Sequence, residues 1–334
     1  RGVDCAESQA IYAAAAMPAI IPNLIQLNEI PKSYEALASQ YEEPFDGEFT
    51  MLKAIYLVAH TQGQRILLDG GSGDSVLGEG TYIARLIRKG RVQSAFAEIA
   101  AERRRWDRSP SVFDFARYVR MALVPAPVKV MYRTLRPRYR AADLLPHSLI
   151  TREFADSVNI KQRCARLCET YGRGWIKDYA LERCKVIRPH DTAGVERYVR
   201  LAAAVAIDAC DPFLDKRVIE YSAWLPGQLR LRDGWRKIVL RDLMAGRLPD
   251  EVRWARGKPH LGWLFNAAVT REAMRRGELD LAQLSAELKG YVDPEALARS
   301  WSAFCDGSDL ERLHSARVLS VWLRENRARP VVAS

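Results

Sequence analysis

The stretch Arg65-Ile66-Leu67-Leu68-Asp69-Gly70-Gly71-Ser72-Gly73-Asp74-Ser75-Val76-Leu77-Gly78 sets an apolar tripeptide against a run rich in glycine. Residues 66–68 read as a buried strand of a parallel sheet, and the apolar spacing over residues 81–102 reads as the helix beyond. The glycines remove the Cβ atoms that would obstruct a ligand, so the turn suits a phosphate, and Asp74 at its mouth is placed to hold a magnesium ion against a polyphosphate. An ordinary strand-to-helix turn satisfies the same pattern.

Two better-known glycine loops are excluded. A dinucleotide fingerprint needs Gly-x-Gly-x-x-Gly, but counting from Gly71 and Gly73 the third position is Val76, and no Lys-Ser or Lys-Thr pair follows to make a Walker loop. A calcium nonapeptide would repeat and an EF-hand would end in a ligating glutamate; neither pattern occurs.

Of the 334 residues, 48% are apolar, enough for one large or two moderate domains with a sizeable core. No apolar run is long enough for a membrane span, and residues 11–21 are short and interrupted by Pro18, so a cytoplasmic location is expected. Among the six cysteines only Cys164 and Cys168 lie close together, and reduced core thiols are expected. The five histidines form no ligand pair in sequence, so no structural metal is assigned.

The net charge of +10 is concentrated. Residues 103–140 carry arginine and lysine throughout against Asp107 and Asp114 alone, with Trp106, Phe113, Phe115, Tyr118, Tyr132 and Tyr139 interleaved. Nucleic acid, an acidic membrane surface, or an acidic peptide or protein partner could dock on this segment, or it could be a solvated helical face whose aromatics point inward. No nucleic-acid-binding motif accompanies the charge, so nucleic acid is not an expected partner.

The pattern changes near residue 80. Before it come a helix at 7–16, a strand at 23–28, a helix at 50–61 and the strand at Ile66, an α/β order. Beyond it helices are expected at 81–102, 113–122, 151–169, 175–184, 194–209, 215–224, 235–245, 281–288, 294–305 and 308–326. The division is therefore into residues 1–80, a partial α/β nucleotide-binding part, and residues 81–334, a helical part.

A second constellation lies in the helical part: Asp208-Ala209-Cys210-Asp211-Pro212-Phe213-Leu214-Asp215, then Leu225-Pro226, Gly234-Trp235-Arg236-Lys237-Ile238-Val239-Leu240-Arg241, Leu248-Pro249 and Arg256-Gly257-Lys258. With the turn at Asp69 and the segment Tyr41-Glu42-Glu43-Pro44-Phe45, this ordered series resembles the synthetase domain of the asparagine synthetases and their relatives, the β-lactam synthetases and lasso peptide cyclases. An ordered set of short matches is more specific than any one of them.

The resemblance implies an α/β fold, a truncated parallel sheet of the adenine-nucleotide α-hydrolase-like (PP-loop) type with a large helical region and a predominantly α content. It implies ATP-dependent amide formation through an acyl-adenylate, with ATP and Mg2+ as cofactors and a carboxylate substrate, either aspartate or a peptide side chain. Asp74 matches the aspartate that meets magnesium and pyrophosphate, and the amides of Gly70, Gly71, Ser72 and Gly73 would face the nucleotide. Lys237 matches the lysine that stabilises charge building on the adenylate. Asp208 stands where relatives carry a glutamate that orients or deprotonates the amine, and Arg256 and Lys258 would close over pyrophosphate. Asp215 is read as a helix cap, not as a catalytic group.

The departures point elsewhere within the family. The first loop, Ser-Gly-Gly-x-Asp-Ser, has no counterpart before residue 65, so the chain is expected to start after it. Gly71 stands where relatives carry a glutamate or tyrosine, and Ser75 where a glutamate is common. Two alternatives follow: a lasso-peptide-cyclase-like activity on a peptide carboxylate, with residues 103–140 gripping the peptide, and a non-catalytic fragment or scaffold whose partner supplies the ATP loop.

Overall fold

A computed structural model describes residues 6–24, 42–78, 82–105, 112–125, 128, 131, 148–163, 189–255 and 261–327. The chain opens with α1 (Ala6–Ala15); a 3₁₀ turn, Pro44–Phe49, runs straight into α2 (Thr50–Thr61), which feeds β1 (Ile66–Leu68) and the short α3 (Gly73–Leu77). The helices α4 (Tyr82–Arg88), α5 (Val92–Arg105), α6 (Val112–Leu123), α7 (Arg152–Ser157) and α8 (Pro189–Ala203) follow. Then β2 (Asp208–Cys210) and a 3₁₀ turn, Pro212–Leu214, lead to α9 (Lys216–Trp224) and α10 (Gly227–Arg230). The strands β3 (Leu231–Arg232) and β4 (Trp235–Arg236) precede α11 (Ile238–Leu243) and α12 (Asp250–Arg253). The last four helices are α13 (Leu261–Arg275), α14 (Leu281–Glu287), α15 (Pro294–Asp306) and α16 (Arg312–Arg327).

The structure is mostly helical with a small parallel sheet, the α-dominant α/β class that the sequence implies. In that sheet β1 pairs in parallel with β2, with Ile66 opposite Asp208, Leu67 opposite Ala209 and Leu68 opposite Cys210. The bonds Asp208 N to Arg65 O (2.7 Å) and Asp69 N to Cys210 O (3.0 Å) extend the ladder by one link at each end. β3 and β4 form an antiparallel hairpin around Asp233 and Gly234, with φ of 51° and 73°. Those angles suit a tight mirror-image turn, for which Asp-Gly is a favoured pair.

Three apolar clusters anchor these pieces. Leu284, Leu288, Leu297, Phe304 and Leu313 centre a C-terminal helical body made by α13 to α16. Ile83, Ile87, Ile99 and Tyr118 join α4, α5 and α6, and Leu231 of β3 plugs the hairpin into that cluster. Tyr56, Leu57, Leu201, Val205 and Ile207 join α2 to α8, with Leu67 of β1 packed against them. The two parallel strands and the hairpin are thus seated on different clusters.

Several expected elements take another form. Residues 66–68 are not a buried strand: only Leu67 faces the core, while Ile66 and Leu68 are 64% and 68% exposed. The physical reason is that, among the described residues, β1 has β2 on one side and packs through one face. The helix expected over 81–102 is broken into α4 and α5 by Gly90, whose φ of 73° closes the first helix in the left-handed region. The helix expected over 194–209 ends at Ala203, and residues 208–210 are β2. That over 151–169 turns at Val158 and Asn159, where Asn159 has φ 50°, and its remainder from residue 164 lies outside the described residues. Residues 23 and 24 of the expected strand have no regular structure, and its other residues, like the helix expected at 175–184, lie outside the described residues. Among the described residues no helix is long and apolar enough to cross a membrane.

Candidate functional site

Carboxylates wire the glycine turn to β2. Asp69 ends β1 and accepts the amide of Gly71 on Oδ1 at 2.9 Å, folding the chain back within two residues. Asp211 ends β2 and accepts the amide of Ser72 on Oδ2 at 2.7 Å, while its Oδ1 accepts the amide of Phe213 at 2.9 Å. The amide of Gly73 bonds the carbonyl of Gly70 at 3.1 Å. Three of the four amides expected to face a nucleotide therefore have protein acceptors: those of Gly71 and Ser72 go to the acidic residues at the two strand ends, and that of Gly73 to the Gly70 carbonyl within the turn.

The glycines answer to packing as well. A Cβ on Gly73 would lie 3.1 Å from the Phe213 ring, and one on Gly71 would lie 3.3 Å from the Tyr198 ring. Gly78 ends α3 where a Cβ would come within 2.6 Å of the Asp74 carbonyl oxygen. The turn needs small residues to lie flat on Phe213 and Tyr198, independently of any ligand.

Lys237 comes to this turn from the hairpin. Its Nζ lies 2.6 Å from Oδ1 of Asp74, with the two side chains 30% and 47% exposed. The lysine is held at φ 58°, ψ 40°, a left-handed conformation at the N-cap of α11, and its amide donates to the Arg230 carbonyl at 2.7 Å. A non-glycine residue in that region costs about 1–2 kcal/mol, so the surroundings must over-determine it. They do so from α5. Glu98 accepts the turn amides of Asp233 (3.2 Å) and Gly234 (2.9 Å), Glu102 pairs with Arg236 at 2.6 Å, and Gly234 sits against the backbone of Ala101 and Glu102. Arg105 and Arg241 stack on Trp235 at 4.0 and 4.6 Å, and Trp235 meets Trp254 at 5.0 Å.

The structure thus brings Gly70, Gly71, Ser72, Gly73, Asp74 and Lys237 together. Asp208 lies on β2 opposite Ile66 and is exposed. Asp215 caps α9 by accepting the amide of Arg217 at 2.8 Å, as expected. Arg256 and Lys258 lie outside the described residues. No cluster of three or more His, Cys, Asp or Glu side chains suited to a metal occurs among the described residues. Cys210 is half-buried, but Cys305 is exposed and so is not a core thiol. Of the basic segment 103–140, the described part is mixed: Tyr118 is buried in the core, Phe113 is exposed, and Arg103 pairs with Asp114 at 3.1 Å.

Two aromatic residues near the turn escaped the sequence reading. Tyr198, on α8, has its hydroxyl pKa raised by burial and then by Asp69 and Asp211. Tyr56, on α2, is pushed up to about 12 by burial, Asp69 and Tyr198. Both phenols stay neutral at ordinary pH; Tyr56 is fully buried and Tyr198 partly so. Their signal in sequence was only an aromatic inside an amphipathic helix, which is indistinguishable from core.

Comparison with known proteins gives one match of the family kind: residues 13–324 match the family described as asparagine synthase. No curated protein and no solved structure matches the chain.

Proposed function

The chain belongs to the asparagine synthase family, whose members form amide bonds with ATP, and on that premise we propose that the pair Asp74–Lys237 marks the centre of an ATP-dependent amide-forming site. ATP supplies the activation of a carboxylate as its acyl-adenylate. Lys237 is a fixed cation at the edge of the turn and is suited to stabilise negative charge developing on the activated carboxylate. Asp74 is suited to receive magnesium, since that ion is commonly held by one or two carboxylates together with substrate phosphates. The half-exposed side chain of Asp74 fits such a role, and a metal held there would supply positive charge against the phosphates beside the ammonium of Lys237.

The engaged amides bear on where the nucleotide lies. With Asp69 and Asp211 bonded to the turn, the backbone offers less to a phosphate than a free glycine loop would, so the charge of Lys237, a metal held by Asp74, and Arg256 and Lys258 would carry that duty. Asp208 faces the amine nucleophile in this reading, and Tyr198 and Phe213 form the floor beneath the acyl group. The sheet would be of the PP-loop type, with residues 1–80 its nucleotide-binding part and residues 81–334 its helical part.

The single observation that carries the reading is the 2.6 Å contact between Lys237 and Asp74. The test is pyrophosphate release from Mg-ATP with aspartate or a peptide carboxylate as acyl source, compared with the Lys237→Ala chain. Release that survives Lys237→Ala unchanged would sink the proposal. A second reading is favoured by the exposure of Ile66 and Leu68 beside the site: the chain serves as a subunit, and a partner polypeptide carrying the ATP loop completes it. Under that reading release appears only with the partner present, and is still lost on Lys237→Ala.

A further inference from the structure

Arg230 touches both halves of the site by different ends of the same residue. Its guanidinium reaches the end of α3: Nη1 donates to the carbonyls of Val76 (3.2 Å) and Gly78 (2.9 Å), and Nη2 donates to the Ser222 carbonyl. Its own carbonyl accepts the Lys237 amide at 2.7 Å. The Ser222 hydroxyl joins the same knot by donating to Val76 O at 2.8 Å.

The last carbonyls of α3 have no partner within so short a helix, and a planar cation with several fixed donors satisfies two of them at once where the helix dipole is negative. That helix carries Asp74. The carbonyl end takes up the amide of a lysine held in the left-handed region, and that lysine carries the ammonium that meets Asp74. α10 is closely packed on both sides of Arg230: a Cβ on Gly227 would lie 1.9 Å from Cδ2 of the Tyr82 ring, and Leu231 is buried.

We infer that Arg230 is a positioning residue that joins the two elements: its guanidinium holds the end of the Asp74 helix and its carbonyl holds the Lys237 amide, so that, beside the α5 contacts that seat the hairpin, one residue couples the carboxylate to the ammonium. The importance of that coupling for catalysis rests on the amide-forming reading above; the mechanical link does not. Displacement of a reacting group by an ångström can cost about a hundredfold in rate. A lysine in its place offers one point charge in place of a fork, so it cannot span the Val76, Gly78 and Ser222 carbonyls together.

The experiment uses the full chain in three forms: wild type, Arg230→Lys and Arg230→Met. Amide hydrogen exchange read by mass spectrometry is expected to accelerate at least roughly tenfold in both variants over residues 72–78 and 235–241 together, with residues 281–327 protected as in wild type. Loss of protection in one segment alone, or in neither, overturns the link. Kinetically, Arg230→Met is expected to lower kcat for pyrophosphate release from Mg-ATP by roughly tenfold to a hundredfold and to add nothing further in a Lys237→Ala background, since both act through one geometry. An additive loss overturns the positioning role. Paired opening in chains that release no pyrophosphate in any form leaves the link established and removes instead the reading in which this chain activates a carboxylate by itself.

Discussion

Lys237 and Asp74 meet at 2.6 Å although one sits at the end of a β-hairpin and the other at the start of a five-residue helix after a parallel strand. The lysine does so from a left-handed backbone, at φ 58°. Strain of that kind marks a position where geometry has been kept against local preference.

The first prediction separates stability from activity at this residue. Glycine relieves the left-handed conformation, so Lys237→Gly is expected to leave the urea midpoint unchanged or to raise stability by up to about 1 kcal/mol. The same substitution removes the ammonium and is expected to cut pyrophosphate release by roughly a hundredfold or more. A parallel loss of both properties would mean that Lys237 is held for packing alone.

Asp74→Asn tests the magnesium assignment. The amide keeps the size of the side chain but loses its charge, so the magnesium concentration for half-maximal pyrophosphate release should rise by roughly tenfold or more, with unfolding little changed. A magnesium titration that superimposes on wild type would remove Asp74 as the metal's carboxylate.

Gly234→Ala carries two faults at once. Its φ of 73° disfavours any side chain, and the new Cβ would lie 2.3 Å from the Glu102 nitrogen and 2.5 Å from the Ala101 carbonyl carbon. The clash is with backbone, which cannot swing aside, so a loss of about 2–4 kcal/mol in equilibrium unfolding is expected. Because α5 sets the hairpin, activity should fall further than the population of folded chain accounts for.

His314 gives the chain an acid sensitivity far from the site. It is buried, with Nδ1 2.9 Å from the Thr270 hydroxyl and Nε2 3.1 Å from the Gly47 carbonyl, and Nε2 facing a carbonyl carries the ring proton. Burial first, and Arg317 after it, lowers its pKa from 6.5 to about 4, while the Gly47 carbonyl acts in the other direction. Between those values the unfolded chain binds a proton that the folded chain refuses. Stability is therefore fully present above about pH 6.5 and declines as pH falls toward 4, by on the order of 3 kcal/mol in total. His314→Gln is expected to flatten that part of a urea-midpoint profile, whatever it does to stability at neutral pH.

Patterns with short spacing were the legible ones. The helix 50–61 was read at its true bounds from apolar periodicity, the cap at Asp215 from its place after Pro212-Phe213-Leu214, and the nearness of turn and lysine from what the family resemblance implies. What could not be read was set by tertiary partners. Residues 208–210 look like the tail of an amphipathic helix, and become a strand because Arg65 and Asp69 offer them a ladder. Residues 66–68 look like a buried strand, because apolar content records what a segment could bury and not how many neighbours it has. The pair Asp233-Gly234 did carry a local signal for the hairpin, but the helical spacing around it masked the turn. α13 went unread behind the proline at 259, although its Ala267 and Thr270 are fully buried.

The parallel pairing of β1 with β2 has a kinetic meaning. The bond from Ser72 to Asp211 spans 139 residues of chain. Closing so wide a ring carries an entropy penalty that helices, built from near neighbours, do not face. The helical clusters can thus form early, while the turn that carries Asp74 finds its acceptor only when most of the chain is in place. The proposed nucleotide binding should accordingly be the last signal to return in a refolding sample, well after helical circular dichroism has recovered.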